Sequence, residues 1–269
     1  MSRYAAMFER LAGAGEGAFG AFLMLGDPDL ETSARLLDAA VEGGADMIEV
    51  GIPFSDPVAD GPVIQAAAER ARKQNVCPAD ALALLADFRR RHPHVPVGIL
   101  TYANLVIARG RDAFCRASAD AGADSLLVAD VPAFEAEPFV AAARDFGLDP
   151  VLIAAANTPW ETLERIARLG GGYVYCVARA GVTGVGESVH FDHRDMLLTL
   201  KAAGAPPPIF GFGISRPDHV RAAIDAGAAG AISGSAIVQL VAEDPKTAPD
   251  RVRRFVARMK AATGRKSQS

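Results

Sequence analysis

The stretch Ile48-Glu-Val-Gly-Ile-Pro-Phe-Ser-Asp-Pro-Val-Ala-Asp-Gly-Pro-Val-Ile-Gln65 decides how this chain is read. It opens as an apolar strand, with Met47, Ile48, Val50 and Ile52, yet a carboxylate, Glu49, stands in the middle of it. An ionised Glu in such a strand is costly unless it has a partner or a chemical task. A second carboxyl, Asp60, follows on a loop stiffened by Pro53, Pro57 and Pro62. Two carboxyls in unlike settings, one sheltered and one on a loop, suit acid–base chemistry near neutral pH. An ion pair with a neighbouring Arg is the alternative use for Glu49, but few basic residues fall at strand ends. For Asp60 alone, Asp-Gly-Pro is also ordinary turn chemistry, and Asp56 could equally cap a helix or meet a partner.

Outward from this stretch the chain repeats itself. Glu42-Gly-Gly-Ala-Asp-Met-Ile-Glu-Val50, Asp120-Ala-Gly-Ala-Asp-Ser-Leu-Leu-Val128 and Asp225-Ala-Gly-Ala-Ala-Gly-Ala-Ile-Ser233 share one design. In each, a helix ends at a Gly that accepts the left-handed conformation, and a short apolar strand begins. Helical stretches at 32–42, 79–92, 138–146, 160–169 and 218–226 alternate with strands, which implies a parallel sheet covered on both faces. Eight strands are predicted, near 19–25, 46–51, 96–102, 124–130, 150–155, 173–177, 208–212 and 229–234. Eight units in 269 residues average about 33 each, near the minimum for a βαβ unit. The expectation is therefore an α/β fold, a closed (β/α)8 TIM barrel, with an extra N-terminal helix at 2–12 capping its bottom. A doubly wound open sheet is the alternative, but no Gly-x-Gly-x-x-Gly follows the first strand. No linker divides the chain, so residues 1–269 read as one barrel domain with a frayed tail at 264–269.

Composition narrows the function classes. Half of the residues are hydrophobic, 22% are charged and the net charge is −4. With no basic cluster, neither nucleic acid nor a membrane surface is expected as a partner. The apolar runs are too short to span a bilayer, and the N-terminus lacks the apolar core of a signal peptide. Three widely spaced cysteines, Cys77, Cys115 and Cys176, read as reduced buried thiols of a cytoplasmic protein.

In a barrel of this kind, chemistry sits where strands end and βα loops begin. Phe22, Leu100, Tyr102, Leu127, Ala129, Ile153 and Phe212 all fall near strand ends, giving an apolar, partly aromatic pocket suited to a flat ring. Period-two alternation puts Tyr173 and Tyr175 on one face, with Tyr175 nearer the pocket and Tyr173 equally readable as interior packing. Gly211-Phe-Gly-Ile-Ser215 and Ser233-Gly-Ser235 open directly after strands seven and eight, where backbone N–H groups commonly cradle phosphate. The glycine-rich loop at 178–189, with Thr183, reads as a lid. All five lysines fall outside the predicted strands, so a Schiff-base mechanism is not expected. His92 and His94 precede strand three at the bottom face, and His190 and His193 make poor metal ligands; no metal site is expected. What remains is carboxyl acid–base chemistry on a phosphorylated substrate with an apolar portion. An isomerase on the same fold, or a phosphate-binding barrel that only activates a partner, are the rival readings. The first wants a placed His or Lys electrophile, and the second a missing carboxyl.

These motifs resemble the alpha subunit family of tryptophan synthase. The run Glu49 to Gln65 is similar to that family's signature nearly letter for letter. Tyr102-Ala-Asn-Leu105, Val128-Ala-Asp-Val-Pro132, Arg179-Ala-Gly-Val-Thr-Gly184, Gly211-Phe-Gly-Ile-Ser215 and Gly227-Ala-Ala-Gly-Ala-Ile-Ser-Gly-Ser-Ala-Ile237 agree as well. The resemblance implies cleavage of indole-3-glycerol phosphate to indole and glyceraldehyde 3-phosphate, a retro-aldol step without metal or cofactor in this chain. It implies Glu49 as general acid/base, Asp60 as acceptor of the ring N–H, and Tyr175 beside Glu49. Phe22, Leu100, Leu127 and Ile153 would hold the indole. Gly184, Gly213, Gly234 and Ser235, with Phe212 and Ile214 nearby, would bind the phosphate, and Thr183 would tie the lid to Asp60. It also implies an alpha2-beta2 heterotetramer with a beta subunit that holds pyridoxal phosphate and receives the indole. Phe54, Asp56, Pro57, Asn104 and Pro132 would lie at that contact.

Overall fold

The glycine that ends each repeat is where helix turns into strand. In the computed structural model, which describes residues 2–177 and 193–265, Gly44, Gly122 and Gly227 have φ of +95°, +89° and +101°, backbone that L side chains rarely adopt. The strands that follow such turns belong to one all-parallel ladder: β1 (Ala18–Met24), β2 (Met47–Gly51), β3 (Val97–Thr101), β4 (Ser125–Val128), β5 (Asp149–Pro150), β6 (Leu152–Ala155), β7 (Val174–Val177), β8 (Pro208–Gly211) and β9 (Gly230–Ser233). Their order is β5-β4-β3-β2-β1-β9-β8-β7-β6. β5 pairs with β4, and β6 with β7. The continuous segment 149–155 therefore joins both ends of the ladder and closes the barrel. The fifth stave, expected as one strand, is split because Pro150 has no N–H to continue the ladder.

The helices are α1 (Arg3–Ala14), α2 (Leu30–Glu42), α3 (Pro62–Lys73), α4 (Pro78–Arg91), α5 (Ala103–Ile107), α6 (Arg111–Asp120), α7 (Glu137–Asp145), α8 (Trp160–Leu169), α9 (Arg194–Ala202), α10 (Pro217–Asp225), α11 (Ser235–Glu243) and α12 (Ala248–Lys260). Two apolar cores result from the period-two alternation of the strands. Outward residues such as Ile48, Val50, Ile99, Cys176 and Phe210 pack beneath the helices. Inward residues, among them Met47, Phe22, Tyr173, Tyr175, Ile209 and Ile232, form a second cluster inside the cylinder. α1 completes that inner cluster with Tyr4, Met7 and Leu11. It closes the bottom as the sequence suggested: Tyr4 and Ser125 share a 2.8 Å hydroxyl hydrogen bond, and the Tyr4 ring lies 5.4 Å from that of Tyr173. No described helix is long and apolar enough to cross a membrane.

The aspartates of the first two repeats fasten this bottom face. Asp46 accepts the Phe19 N–H at 2.9 Å and pairs with Arg10 and Lys260, each at 2.8 Å. Asp124 does the same two staves further on, with the Val97 N–H at 2.7 Å, Arg3 at 2.8 Å and Arg89 at 2.6 Å. Two expectations are corrected here. Gly264 and Arg265 are not frayed: Gly264 bridges Glu16, the Arg265 N–H donates to Gly15, and Thr263 beside them is fully buried. Cys77 is exposed rather than buried, because it lies at the mouth of α4 ahead of Pro78, whereas Cys115 and Cys176 are buried.

Removing Asp46 would strand the Phe19 amide and take a carboxylate from Arg10 and from Lys260, which keeps Glu16 at 2.8 Å. Breaking a buried pair costs about 3–5 kcal/mol, and the exposure of Arg10 puts this case at the low end. Urea unfolding of Asp46→Ala should therefore show a loss of about 3 kcal/mol. A loss under about 1 kcal/mol would reduce the clamp to the rank of a surface ion pair.

Candidate active site

Glu49 points into the barrel because its neighbours Ile48 and Val50 take the outward positions. It is 1% exposed, with Phe22 opposite it on β1 and Gly98 on β3. Gly98 makes room for the layer below, since a Cβ there would fall 2.6 Å from Ser125 Oγ and 3.0 Å from the Tyr4 hydroxyl. No Arg reaches the carboxylate among the described residues. Its partner is Tyr173, whose hydroxyl donates to Oε1 at 2.7 Å. Burial lifts the Glu49 carboxyl to about 7; the Tyr173 hydrogen bond opposes the rise and the nearby Asp60 adds to it. Tyr175 also faces inward, above Tyr173. Alternation alone could not say which of the two hydroxyls would hold Glu49.

Asp60 sits just ahead of α3, where Gly61 and Pro62 start the helix. Its N–H donates to Pro57 O at 3.1 Å, and the Gln65 side-chain amide donates to its carbonyl at 2.7 Å, so the loop is tied at both ends. The residue is 7% exposed, and burial lifts its carboxyl to about 6. The nearby Tyr102 hydroxyl offsets part of that rise by its closeness, without completing a well-formed hydrogen bond among the described residues. The Tyr102 ring stacks on Phe54 at 5.5 Å and 26°.

Both carboxyls line one cleft of about 470 Å³ at the C-terminal ends of the strands, with Phe22, Ile64, Leu100, Tyr175, Phe212, Gly213, Ile214, Ser215, Ile232, Gly234, Ser235 and Ala236. A second lobe adds Ala59, Leu127, Ala129 and Ile153 and shares Asp60, Leu100, Tyr175 and Phe212. The lining residues expected from the sequence are thus in the cleft, apart from Tyr102, which stacks on Phe54 beside Asp60 instead, and Thr183 and Gly184, which lie outside the described residues. Ile64 and Ile232 join them with no sequence signal beyond their apolar pattern.

The far end of the cleft is built of backbone. Phe212 and Gly213 follow β8 with φ of +57° and +79°, a pair of left-handed residues that turns successive N–H groups to one side. A left-handed Phe is uncommon and marks a turn held by its surroundings. The Tyr175 ring meets Phe212 edge-on at 5.5 Å, and a Cβ at Gly211 would collide with the Tyr175 hydroxyl. Gly234 precedes α11 with no side-chain cap, which leaves the first-turn N–H groups of that helix open to the cleft. No group of His, Cys, Asp and Glu that could hold a metal occurs among the described residues.

Around the rim, Phe54 and Pro57 are half-buried, while Asp56, Asn104 and Pro132 are exposed on the loops after β2, β3 and β4. Asp56 accepts a hydrogen bond from Ser55 rather than capping a helix.

The chain is similar to known proteins over nearly its whole length. The family model described as tryptophan synthase alpha chain matches residues 8–265. A tryptophan synthase alpha chain from Aeromonas hydrophila is 50% identical over 268 residues, covering 98% of this chain and 100% of its own length. The solved tryptophan synthase subunit alpha of Legionella pneumophila superposes with a TM-score of 0.87 at 28% identity, covering 97% of this chain and 98% of its own. A chain of the Pyrococcus furiosus tryptophan synthase complex gives 0.81 at 33% identity, covering 91% and 98%. The chain belongs to the tryptophan synthase alpha chain family.

Proposed function

We propose that Glu49 and Asp60 carry the reaction by which this family member cleaves indole-3-glycerol phosphate to indole and glyceraldehyde 3-phosphate. The observation that supports it best is the pair of buried carboxyls with unequal proton affinities on one apolar cleft. Glu49, the more basic, starts protonated and delivers its proton to the indole carbon that bears the glycerol chain. Positive charge then develops on the ring nitrogen, and ionised Asp60 accepts the ring N–H and stabilises that charge. The carbon–carbon bond breaks, its electron pair restores the aromatic ring, and Glu49 takes up the proton of the adjacent hydroxyl as the aldehyde forms. Glu49 ends protonated, so the cycle closes without a metal or a cofactor in this chain. Tyr173 holds the Glu49 carboxyl in place, and Tyr175 fills the wall between the carboxyls and the phosphate end. Phe22, Leu100, Leu127 and Ile153 flank the ring, and the backbone of Gly213, Ile214, Gly234 and Ser235 receives the phosphate.

The partner reading is a beta subunit that carries pyridoxal phosphate and takes the indole. Four exposed apolar side chains support it. Val58, Ile107, Phe134 and Trp160 follow β2, β3, β4 and β6, so they form an arc on the same face as the cleft. Such exposed apolar groups on one rim suit a protein partner, and the Pyrococcus chain comes from a tryptophan synthase complex. Cleavage should be slow in the isolated chain and much faster with a beta subunit. Phe134→Asp should weaken that association at least about tenfold in calorimetric titration while leaving indole release by the isolated chain unchanged; unaltered affinity would move the contact elsewhere.

Indole release also tests the carboxyl roles. Glu49→Gln should lower kcat by about 10² to 10⁴, and full turnover would end the mechanism. Asp60→Asn should lose about 10² to 10³ in kcat with a milder effect on binding. The active form needs Asp60 ionised and Glu49 protonated. For the free enzyme, kcat/KM should therefore fall below about pH 6 and again above about pH 7. A phosphate monoester also ionises near about pH 6. The Asp60 assignment thus stands only if the acid limb shrinks in Asp60→Asn.

A further inference from the structure

The turn after β8 is held from behind by two side chains. Ser233 Oγ donates to the Ile214 carbonyl at 2.6 Å. The His219 ring, on the first turn of α10 and 4% exposed, sets Nδ1 2.9 Å from the Gly213 carbonyl and 3.3 Å from the Ser215 amide nitrogen. One ring nitrogen cannot serve both at once. With a hydrogen it donates to the carbonyl; without one it accepts from the amide.

The other ring nitrogen decides between them. His219 Nε2 is buried and meets no hydrogen-bond partner among the described residues. A hydrogen placed there would be a stranded donor, which is rarer and costlier than a bare lone pair. The hydrogen therefore belongs on Nδ1, directed at Gly213 O. Because the peptide is planar and trans, its N–H points opposite to its C=O. Anchoring Gly213 O on His219 thus turns the Ile214 N–H toward the cleft that Ile214 lines. The Ser215 N–H points at the ring from 3.3 Å, behind the turn, so the Ile214 N–H is the amide that this anchor turns outward.

We propose that His219 is a positioning residue for the phosphate end of the substrate, presenting the Ile214 amide by donating from Nδ1 to the Gly213 carbonyl. The inference rests on the reading of this end of the cleft as the phosphate cradle. It adds a side chain that no sequence motif singled out.

Glycerol 3-phosphate and indole serve as separate probes of the two ends. His219→Leu should raise the Kd for glycerol 3-phosphate and the KM for indole-3-glycerol phosphate about tenfold, with kcat and indole affinity within about twofold. His219→Asn, which can still donate from near the Nδ1 position, should recover most of the loss. Nitrogen-15 spectra of the wild-type ring should show Nδ1 carrying its hydrogen in the glycerol 3-phosphate complex, a readout that does not depend on any variant folding. A bare Nδ1 in that complex, or equal losses for indole and glycerol 3-phosphate in His219→Leu, would overturn the inference. Gly234→Asp separates it from the reading beneath it, because a negative side chain in the cradle should abolish glycerol 3-phosphate binding. If Gly234→Asp fails to bind while His219→Leu binds like wild type, only the His219 role falls. If Gly234→Asp binds normally, the cradle and the His219 role fall together.

Discussion

Everything at the top of this barrel depends on one unfavourable act at its middle, the burial of Glu49. Its carboxyl is lifted from 4.5 to about 7, which corresponds to an unfavourable free energy of about 3 kcal/mol when the group is ionised. The sign follows from the direction of the shift. Below about pH 4.5 the carboxyl is protonated in folded and unfolded chains alike and the cost vanishes; it grows as the pH rises and is complete above about 7. A fold that keeps this group tolerates the cost near neutrality because the Tyr173 hydrogen bond limits it and because the rest of the inner layer is apolar and closed. The closure is the work of α1, whose Tyr4, Met7 and Leu11 seal the end of the cylinder that the catalytic cleft does not use.

The two ends of the barrel divide the labour accordingly. At the bottom, Asp46 and Asp124 each gather a strand amide and two cations, a repeated clamp that fixes strand positions where no chemistry is expected. At the top, no such clamp of a strand amide and two cations occurs among the described residues, and the backbone takes unusual conformations. Phe212 and Gly213 are left-handed, and Gly234 leaves a helix uncapped. Rigidity at one end allows unsatisfied groups at the other.

How much of this could be read from the chain depended on whether the signal was local. Gly44, Gly122 and Gly227 announced helix-to-strand turns because a positive φ selects glycine at one position, and the eight staves followed from counting the short apolar segments between helices. Glu49 was legible because a carboxylate in an apolar strand contradicts its neighbours. The partner of Glu49 was not. Tyr173 and Tyr175 obey the same alternation, and only the angle of the closed barrel brings the lower hydroxyl to the carboxylate. His219 was invisible for the same reason, since its role exists only through a turn that folds back over α10. The bridge from Gly264 to Glu16 likewise joins the two ends of the chain, which no window of sequence contains. Cys77 misled because cysteine is usually buried, while a position ahead of Pro78 at a helix mouth is not.

Burial lifts both carboxyls by similar amounts, Glu49 from 4.5 to about 7 and Asp60 from 3.8 to about 6, so the higher proton affinity of a free Glu carries over into the folded protein. Glu49 stands on a strand inside the cylinder, fully enclosed, with Tyr173 as its donor. Asp60 stands on the loop beyond the strand end, less deeply enclosed and with Tyr102 at hand, and stops about a unit lower. A βα unit supplies both environments within twelve residues of chain, the strand interior for the acid and the loop for the anion. That is why one continuous stretch can hold both groups, and why its prolines matter. Pro53 and Pro57 stiffen the path between the two and Pro62 fixes the start of α3 just beyond, so that the loop returns Asp60 to the mouth above Glu49 at little entropic cost on folding.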